Sequence, residues 1–181
     1  AVAAGSAVVG ICGGFQMLGP VVLDPEGVES RCPWAEGLGL LPVVTLFRPW
    51  KTTHRVEARV LADEGLLRGC RGMAVQGYEV HMGESRGEAK APFLLLSRSG
   101  EECNTPDGAL AGGGWILGTY IHGLFRNTPL RRQVLSNLAR RKGVSLPLSD
   151  EVEPDPYDRW AALVREHLDM GLVYRVLGLE R

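Results

Sequence analysis

Apolar positions along the chain fall into continuous runs, alternating runs and helical stripes. Residues 7–11 and 115–121 are apolar without alternation, as expected of strands buried on both faces. Residues 43–47 form a further strand candidate. Val56, Ala58 and Val60 alternate with Glu57 and Arg59, the pattern of a half-exposed strand. Residues 73–81 and 93–97 predict two more strands. Residues 108–110 predict a short one before the Gly112-Gly113-Gly114 turn. Helical spacing predicts a short helix over 13–18, ended by Gly19-Pro20. A longer helix carries Leu130, Val134, Leu135 and Leu138 and stops at Gly143, with Thr128 as its cap and Pro129 in its first turn. Trp160, Leu163, Val164, His167 and Leu168 mark a last stripe, which continues weakly past Gly171 to Leu177. Residues 20–40 and 144–156 read as loops. Strands mixed with helices predict an α/β domain with a partly parallel sheet.

Composition narrows what such a domain does. The chain has 181 residues, 45% hydrophobic and 23% charged, enough for one domain with a substantial core. Twenty basic residues against twenty-one acidic ones leave a net charge of -1, so no electrostatic footprint for nucleic acid or an anionic membrane is expected. No apolar run approaches the roughly 20 residues of a membrane-spanning helix, and no signal peptide is expected. Cys12, Cys32, Cys70 and Cys103 lie far apart with no C-x-x-C pair, which argues against a disulfide framework or a metal site and fits a reducing cytoplasm. The last three read as structural.

Candidate chemistry concentrates in three segments. In Gly10-Ile11-Cys12-Gly13-Gly14-Phe15-Gln16, a cysteine sits between a predicted strand and helix, where a strained elbow demands small neighbours. The helix beginning there favours thiolate, and the Gly13 N–H is placed to hold an oxyanion. In Gly118-Thr119-Tyr120-Ile121-His122-Gly123, a histidine leaves the end of a buried strand, the edge where open α/β sheets place their sites. Paired with Cys12 across space, His122 is the expected general base. In Gly77-Tyr78-Glu79-Val80-His81-Met82-Gly83, Glu79 and His81 share one strand face, as a second acid–base pair or as a surface strand.

Together these segments resemble a class I glutamine amidotransferase domain, of the kind that forms the C-terminal half of cobyric acid synthases. The nucleophile pattern G-x-C-x-G-x-Q is met by Gly10, Cys12, Gly14 and Gln16. The segments 77–83 and 118–125 are similar to the subfamily's later signatures, as are residues 37–42, 51–53 and 157–160. The resemblance implies a three-layer α/β fold with a mixed, mostly parallel sheet, forming one glutamine amidotransferase domain over 1–181. The upstream part of that domain, with a second oxyanion donor, and an ATP-dependent synthetase domain would lie outside these residues. It further implies that Cys12 attacks the side-chain amide of glutamine, that His122 shuttles the proton, and that Gln16 and Gly13 help hold the substrate. The ammonia released would amidate corrinoid carboxylates in cobalamin biosynthesis. No cofactor is implied for this domain itself, while ATP and magnesium are expected in the synthetase domain. Without the second oxyanion donor, worth about 3 kcal/mol, the isolated chain is expected to be a weak or inactive glutaminase.

Most class I members carry a carboxylate two residues after the histidine, which fixes its tautomer. Here that position is Leu124, a departure shared by the cobyric acid synthases, and Glu79 is the candidate orienter. Three other readings stand beside this one: an amidotransferase subunit acting on a peptidoglycan lipid precursor, an α/β-hydrolase, and a non-catalytic amidotransferase-like module.

Overall fold

The computed structural model describes residues 2–146 and 155–179, which divide into two compact units, Ala1–Leu146 and Pro147–Arg181. In the first unit, β1 (Val8–Ile11) leads into α1 (Gly13–Leu18), and β2 (Val21–Leu23) and β3 (Trp34–Glu36) follow. Then come the long strands β4 (Val43–Val60) and β5 (Ala74–Gly87), the hairpin β6 (Phe93–Arg98) and β7 (Glu101–Asp107), β8 (Ala109–Ala111), β9 (Ile116–Thr119) and α2 (Thr128–Lys142). The second unit holds α3 (Pro156–His167), capped by the Asp155 carboxylate on Tyr157 N–H, and α4 (Met170–Val176), capped by Asp169 on Leu172 N–H. Most of the predicted 144–156 loop lies outside the described residues. Among those described, no helix is long and apolar enough to cross a membrane.

The small sheet runs β1-β9-β8, with β1 and β9 parallel and in register from Val8↔Ile116 to Ile11↔Thr119. The larger sheet runs β3-β2-β4-β6-β7, and β5 pairs along the other edge of β4. The α/β class with mixed sheets is therefore found. Within it, antiparallel pairing prevails among the described strands, contrary to the expected mostly parallel sheet: only β1/β9 and β2/β4 run parallel. For the consecutive pairs β6/β7 and β8/β9 the reason is the shortness of the connections. A parallel pair needs a crossover of a dozen or more residues, whereas a two-residue turn turns the chain straight back. Ser99 and Gly100, both at positive φ (52° and 90°), make such a turn between β6 and β7.

Two short strands, β2 and β3, occupy the segment expected to be loop, and the two candidates over 43–60 are one strand, kinked between Leu46 and Lys51. Strand β7 is unannounced by its acidic residues and Pro106. It lies at the sheet edge, where charge and proline are tolerated. At the start of α2 the cap position belongs to Asn127, not Thr128. Its side chain serves another purpose, pairing with Gln76 N–H (2.9 Å) and C=O (2.8 Å) and so tying β5 to the helix. The helix ends at Gly143 (φ 65°), preceded by Arg140, Arg141 and Lys142, whose charges oppose the exposed carbonyls of the last turn.

Strand β9 separates two cores, as the unbroken apolar run predicts. Leu117 and Ile121 pack with Val56, Phe93, Leu95 and Leu130, while Ile116 and Tyr120 pack with Phe15, Leu18 and Leu41. Alternate side chains thus enter opposite cores, one beneath α1 and one beneath α2. Sandwiched in this way, the C-terminal ends of β1 and β9 are held side by side.

Candidate active site

Cys12 follows directly on β1 and takes φ 56° and ψ -118°, a backbone conformation that side-chain-bearing residues rarely adopt. The Cys12 N–H still bonds the Thr119 carbonyl of β9 (3.0 Å), and its own carbonyl accepts the Gln16 N–H (3.1 Å). The chain therefore turns from strand to helix within one residue. Gly10 makes the bend feasible, since a Cβ there would lie 2.6 Å from the Gly14 carbonyl oxygen. Gly13 and Gly14 differ from the expectation that all three glycines relieve crowding. A Cβ on either would meet nothing within 4 Å among the described residues. The positions that their Cβ atoms would take are therefore open space rather than packed core.

The outer edge of β5 closes the site from the other side. Its inner edge is paired to β4, in the register His54↔Glu79 and Thr52↔His81. The outward main-chain groups then belong to residues 78, 80 and 82. The Val80 carbonyl accepts the Cys12 thiol hydrogen at 3.2 Å. The Met82 carbonyl accepts a hydrogen bond from Gln16 Nε2 at 2.9 Å, and the same nitrogen reaches the Tyr120 hydroxyl at 3.3 Å. Tyr78 forms a two-bond bridge with His122, whose N–H donates to the Tyr78 carbonyl (2.7 Å) and whose carbonyl accepts the Tyr78 N–H (3.2 Å). Cys12, Gln16 and His122 are thus brought to one strand by three alternate residues.

His122 stands just past β9, followed by Gly123 in a left-handed conformation (φ 71°). Its ring stacks on Tyr78, with centroids 4.9 Å apart and planes 10° from parallel. Nε2 is buried and has no hydrogen-bond partner among the described residues. Leu124 is fully buried in the core.

Glu79, expected to orient His122, takes other partners. Period-two alternation puts it on the opposite face of β5 from Tyr78. Its carboxylate receives Arg98 Nε at 2.6 Å and lies 3.9 Å from His81 Nε2. Burial pushes this carboxyl up, but the hydrogen bonds and charges of His81 and Arg98 outweigh it and hold the group below the usual carboxylate range. The expected placement of Glu79 and His81 on one face is therefore found, with the part-exposed Arg98 guanidinium beside them.

Sequence reasoning missed the companions of these side chains. Asp107, at the end of β7, is buried and accepts from the Thr119 hydroxyl and the Tyr120 N–H (3.2 Å). Burial is the dominant influence on it and pushes its carboxyl up to about 6. Tyr120 stacks against His81 (3.8 Å between centroids) and shares a hydrogen bond with Ser85 (2.7 Å). Glu79, His81, Ser85, Arg98, Asp107 and Tyr120 all border one cavity of about 440 Å³, and neither Cys12 nor His122 lines it. The proline and tyrosine spacing carried no signal of this arrangement, because it depends on strand pairing distant in sequence.

All four cysteines are free thiols, and burial, helped by Asp63, pushes the Cys70 thiol up to about 11, consistent with a structural role. Among the described residues, no group of three or more His, Cys, Asp or Glu side chains could hold a metal ion.

Residues 1–130 match the CobB/CobQ-like glutamine amidotransferase domain. The chain is 43% identical to the cobyric acid synthase of Moorella thermoacetica over 98% of its length, 39% identical to that of Dehalococcoides mccartyi over 96%, and 41% identical to that of Sorangium cellulosum over 96%. It spans about 35% of the length of these relatives.

Proposed function

Because the chain belongs to the CobB/CobQ-like glutamine amidotransferase domain family, we propose that it releases ammonia from glutamine through a Cys12 thioester, with His122 as the proton carrier. The observation that carries this reading is the strained elbow of Cys12 beside the end of β9, from which His122 emerges, both against the outer edge of β5.

In the proposed reaction the Cys12 thiol leaves the Val80 carbonyl and gives its proton to the free Nε2 of His122. The sulfur adds to the side-chain amide carbon of glutamine, and the Gly13 N–H supports the negative oxygen that develops. His122 returns the proton to the leaving nitrogen, the C–N bond breaks, and ammonia departs. Water then adds to the thioester, one of its protons going through His122 back to sulfur, and glutamate is released. Gln16 donates both of its hydrogen bonds from Nε2, which leaves Oε1 as the acceptor for the ammonium of the substrate.

The relatives are cobyric acid synthases, and this supports ATP-dependent amidation of corrinoid carboxylates, within cobalamin biosynthesis, as the destination of the ammonia. ATP and magnesium would be held by a synthetase domain outside these 181 residues.

In the full-length protein, a glutamine-mimicking diazoketone is expected to modify Cys12 alone, with glutamine protecting it. Cys12→Ala is expected to abolish glutamine-dependent amidation while leaving the use of free ammonia. Reaction at another cysteine first, or no protection by glutamine, would refute the assignment.

A further inference from the structure

Among the described residues, the His122 side chain has no hydrogen-bonded partner of the kind that ordinarily orients a general base. Its Nε2 is buried and unpartnered among the described residues, Glu79 is committed to Arg98 and His81, and residue 124 is a leucine in the core. The ring is nevertheless held, and Tyr78 holds it.

The backbone arrangement explains why. Tyr78 and His122 exchange both main-chain hydrogen bonds, so they are directly opposed, and opposed residues project their side chains to the same face. The rings meet nearly parallel, at a separation ordinary for stacked aromatics. Gly77 allows the approach, since a Cβ there would come within 2.4 Å of the His122 carbonyl oxygen. Gly123 lies beside the same ring, since a Cβ on it would touch the Tyr78 ring at an ordinary 3.7 Å.

We infer that Tyr78 is a positioning residue for His122, fixing the imidazole plane by stacking where a carboxylate would fix it by hydrogen bonding. A stack grips the faces of the ring and consumes neither nitrogen. Nε2 is thereby left for the Cys12 proton, which accounts for a buried polar atom without a partner. This inference rests on the Cys12–His122 reading given above.

The test compares Tyr78→Phe and Tyr78→Leu in the full-length protein. Phenylalanine keeps the stack, so kcat for glutamine hydrolysis should stay within about threefold of wild type. Leucine removes it, and kcat should fall roughly 10- to 100-fold with KM nearly unchanged, the signature of lost alignment rather than lost binding. The His122 ring protons, assigned by their absence in His122→Gln, should show a ring-current displacement in the wild type and the phenylalanine variant that disappears with leucine. Tyr78→Val keeps a strand-favouring residue and provides the same comparison should the leucine variant fail to fold. Wild-type kcat without the aromatic ring, a loss confined to KM, equal damage from phenylalanine, or unmoved His122 resonances would each overturn the inference. Wild-type protein that neither hydrolyses glutamine nor is labelled at Cys12 would overturn the glutaminase reading and this inference together, whereas an active wild type beside an equally active leucine variant sinks the inference alone.

Discussion

The Cys12 thiol and the Val80 carbonyl meet at 3.2 Å across 68 residues of sequence. The contact is made from a positive-φ backbone at Cys12 (φ 56°, ψ -118°), at the turn from β1 into α1. Such a conformation is costly for any residue with a Cβ, by about 1–3 kcal/mol. Cys12→Gly should therefore be more stable than Cys12→Ala by roughly 1–2 kcal/mol, after allowing for the greater freedom of glycine in the unfolded chain. Urea unfolding of the two thiol-free variants measures the difference. An alanine variant at least as stable as the glycine one would contradict the elbow geometry.

The glycines around that elbow should separate under substitution. Gly10→Ala drives a methyl group into the Gly14 carbonyl and Leu18, and should cost roughly 2–4 kcal/mol or prevent folding. Among the described residues, a methyl group from Gly13→Ala or Gly14→Ala meets nothing within 4 Å beyond its chain neighbours and its own helix backbone, so stability should stay within about 1 kcal/mol of wild type. Their added methyl groups would instead occupy the space assigned to glutamine, and hydrolysis should decline while the melting temperature holds. Thermal unfolding and glutamine turnover on the same preparations distinguish the two classes.

Glu79 and Asp107 should give opposite responses to pH. Asp107 in the fold titrates at about 6 against an ordinary 3.8, so the folded state keeps its proton longer than the unfolded chain does. Stability from this group is greatest in acid and is lost as pH rises through that window. Asp107→Asn should consequently gain on the wild type between pH 4 and pH 7, by on the order of 2 kcal/mol. Denaturation midpoints at the two pH values report it, and a constant difference would refute the shift.

Glu79 is held below the usual range, so its contribution is complete above the pKa of the unfolded side chain and is lost as pH falls through the folded value. Glu79→Gln should destabilise the protein near neutrality by roughly 1–3 kcal/mol, because Arg98 keeps partial contact with water that softens the loss. The penalty should shrink in acid. A penalty that grows instead would mean that the carboxylate is not held by Arg98 and His81.

The parts of the molecule legible in its sequence are those whose partners are dictated by burial. Strands β1 and β9 are apolar on both faces and announce themselves without alternation, and α2 shows its stripe and its terminal glycine. Cys12 and His122 were legible because each stands where a buried strand ends. Strand β7 was not, since at an edge the solvent face and the missing neighbour lift the demand for apolar residues. Nor were β2 and β3, whose three-residue lengths carry too little pattern and whose pairing is supplied by distant chain. Gly13 and Gly14 stood out for crowding they do not relieve. Tyr78 was quoted only as part of a motif, because its meaning arises when the chain beyond β9 comes to lie against β5, a bridge that no local spacing encodes.

The outer edge of β5 acts as a ruler with three graduations, at 78, 80 and 82, read respectively by the imidazole strand, the sulfur and the Gln16 amide. Adjacent marks stand about 6.8 Å apart along a strand. A slip of one residue would turn inward-facing amides towards the elbow, and a slip of two would exchange each mark for its neighbour, so no single contact can be mis-set while the others stay true. The assembly is therefore in step or out of step as a whole.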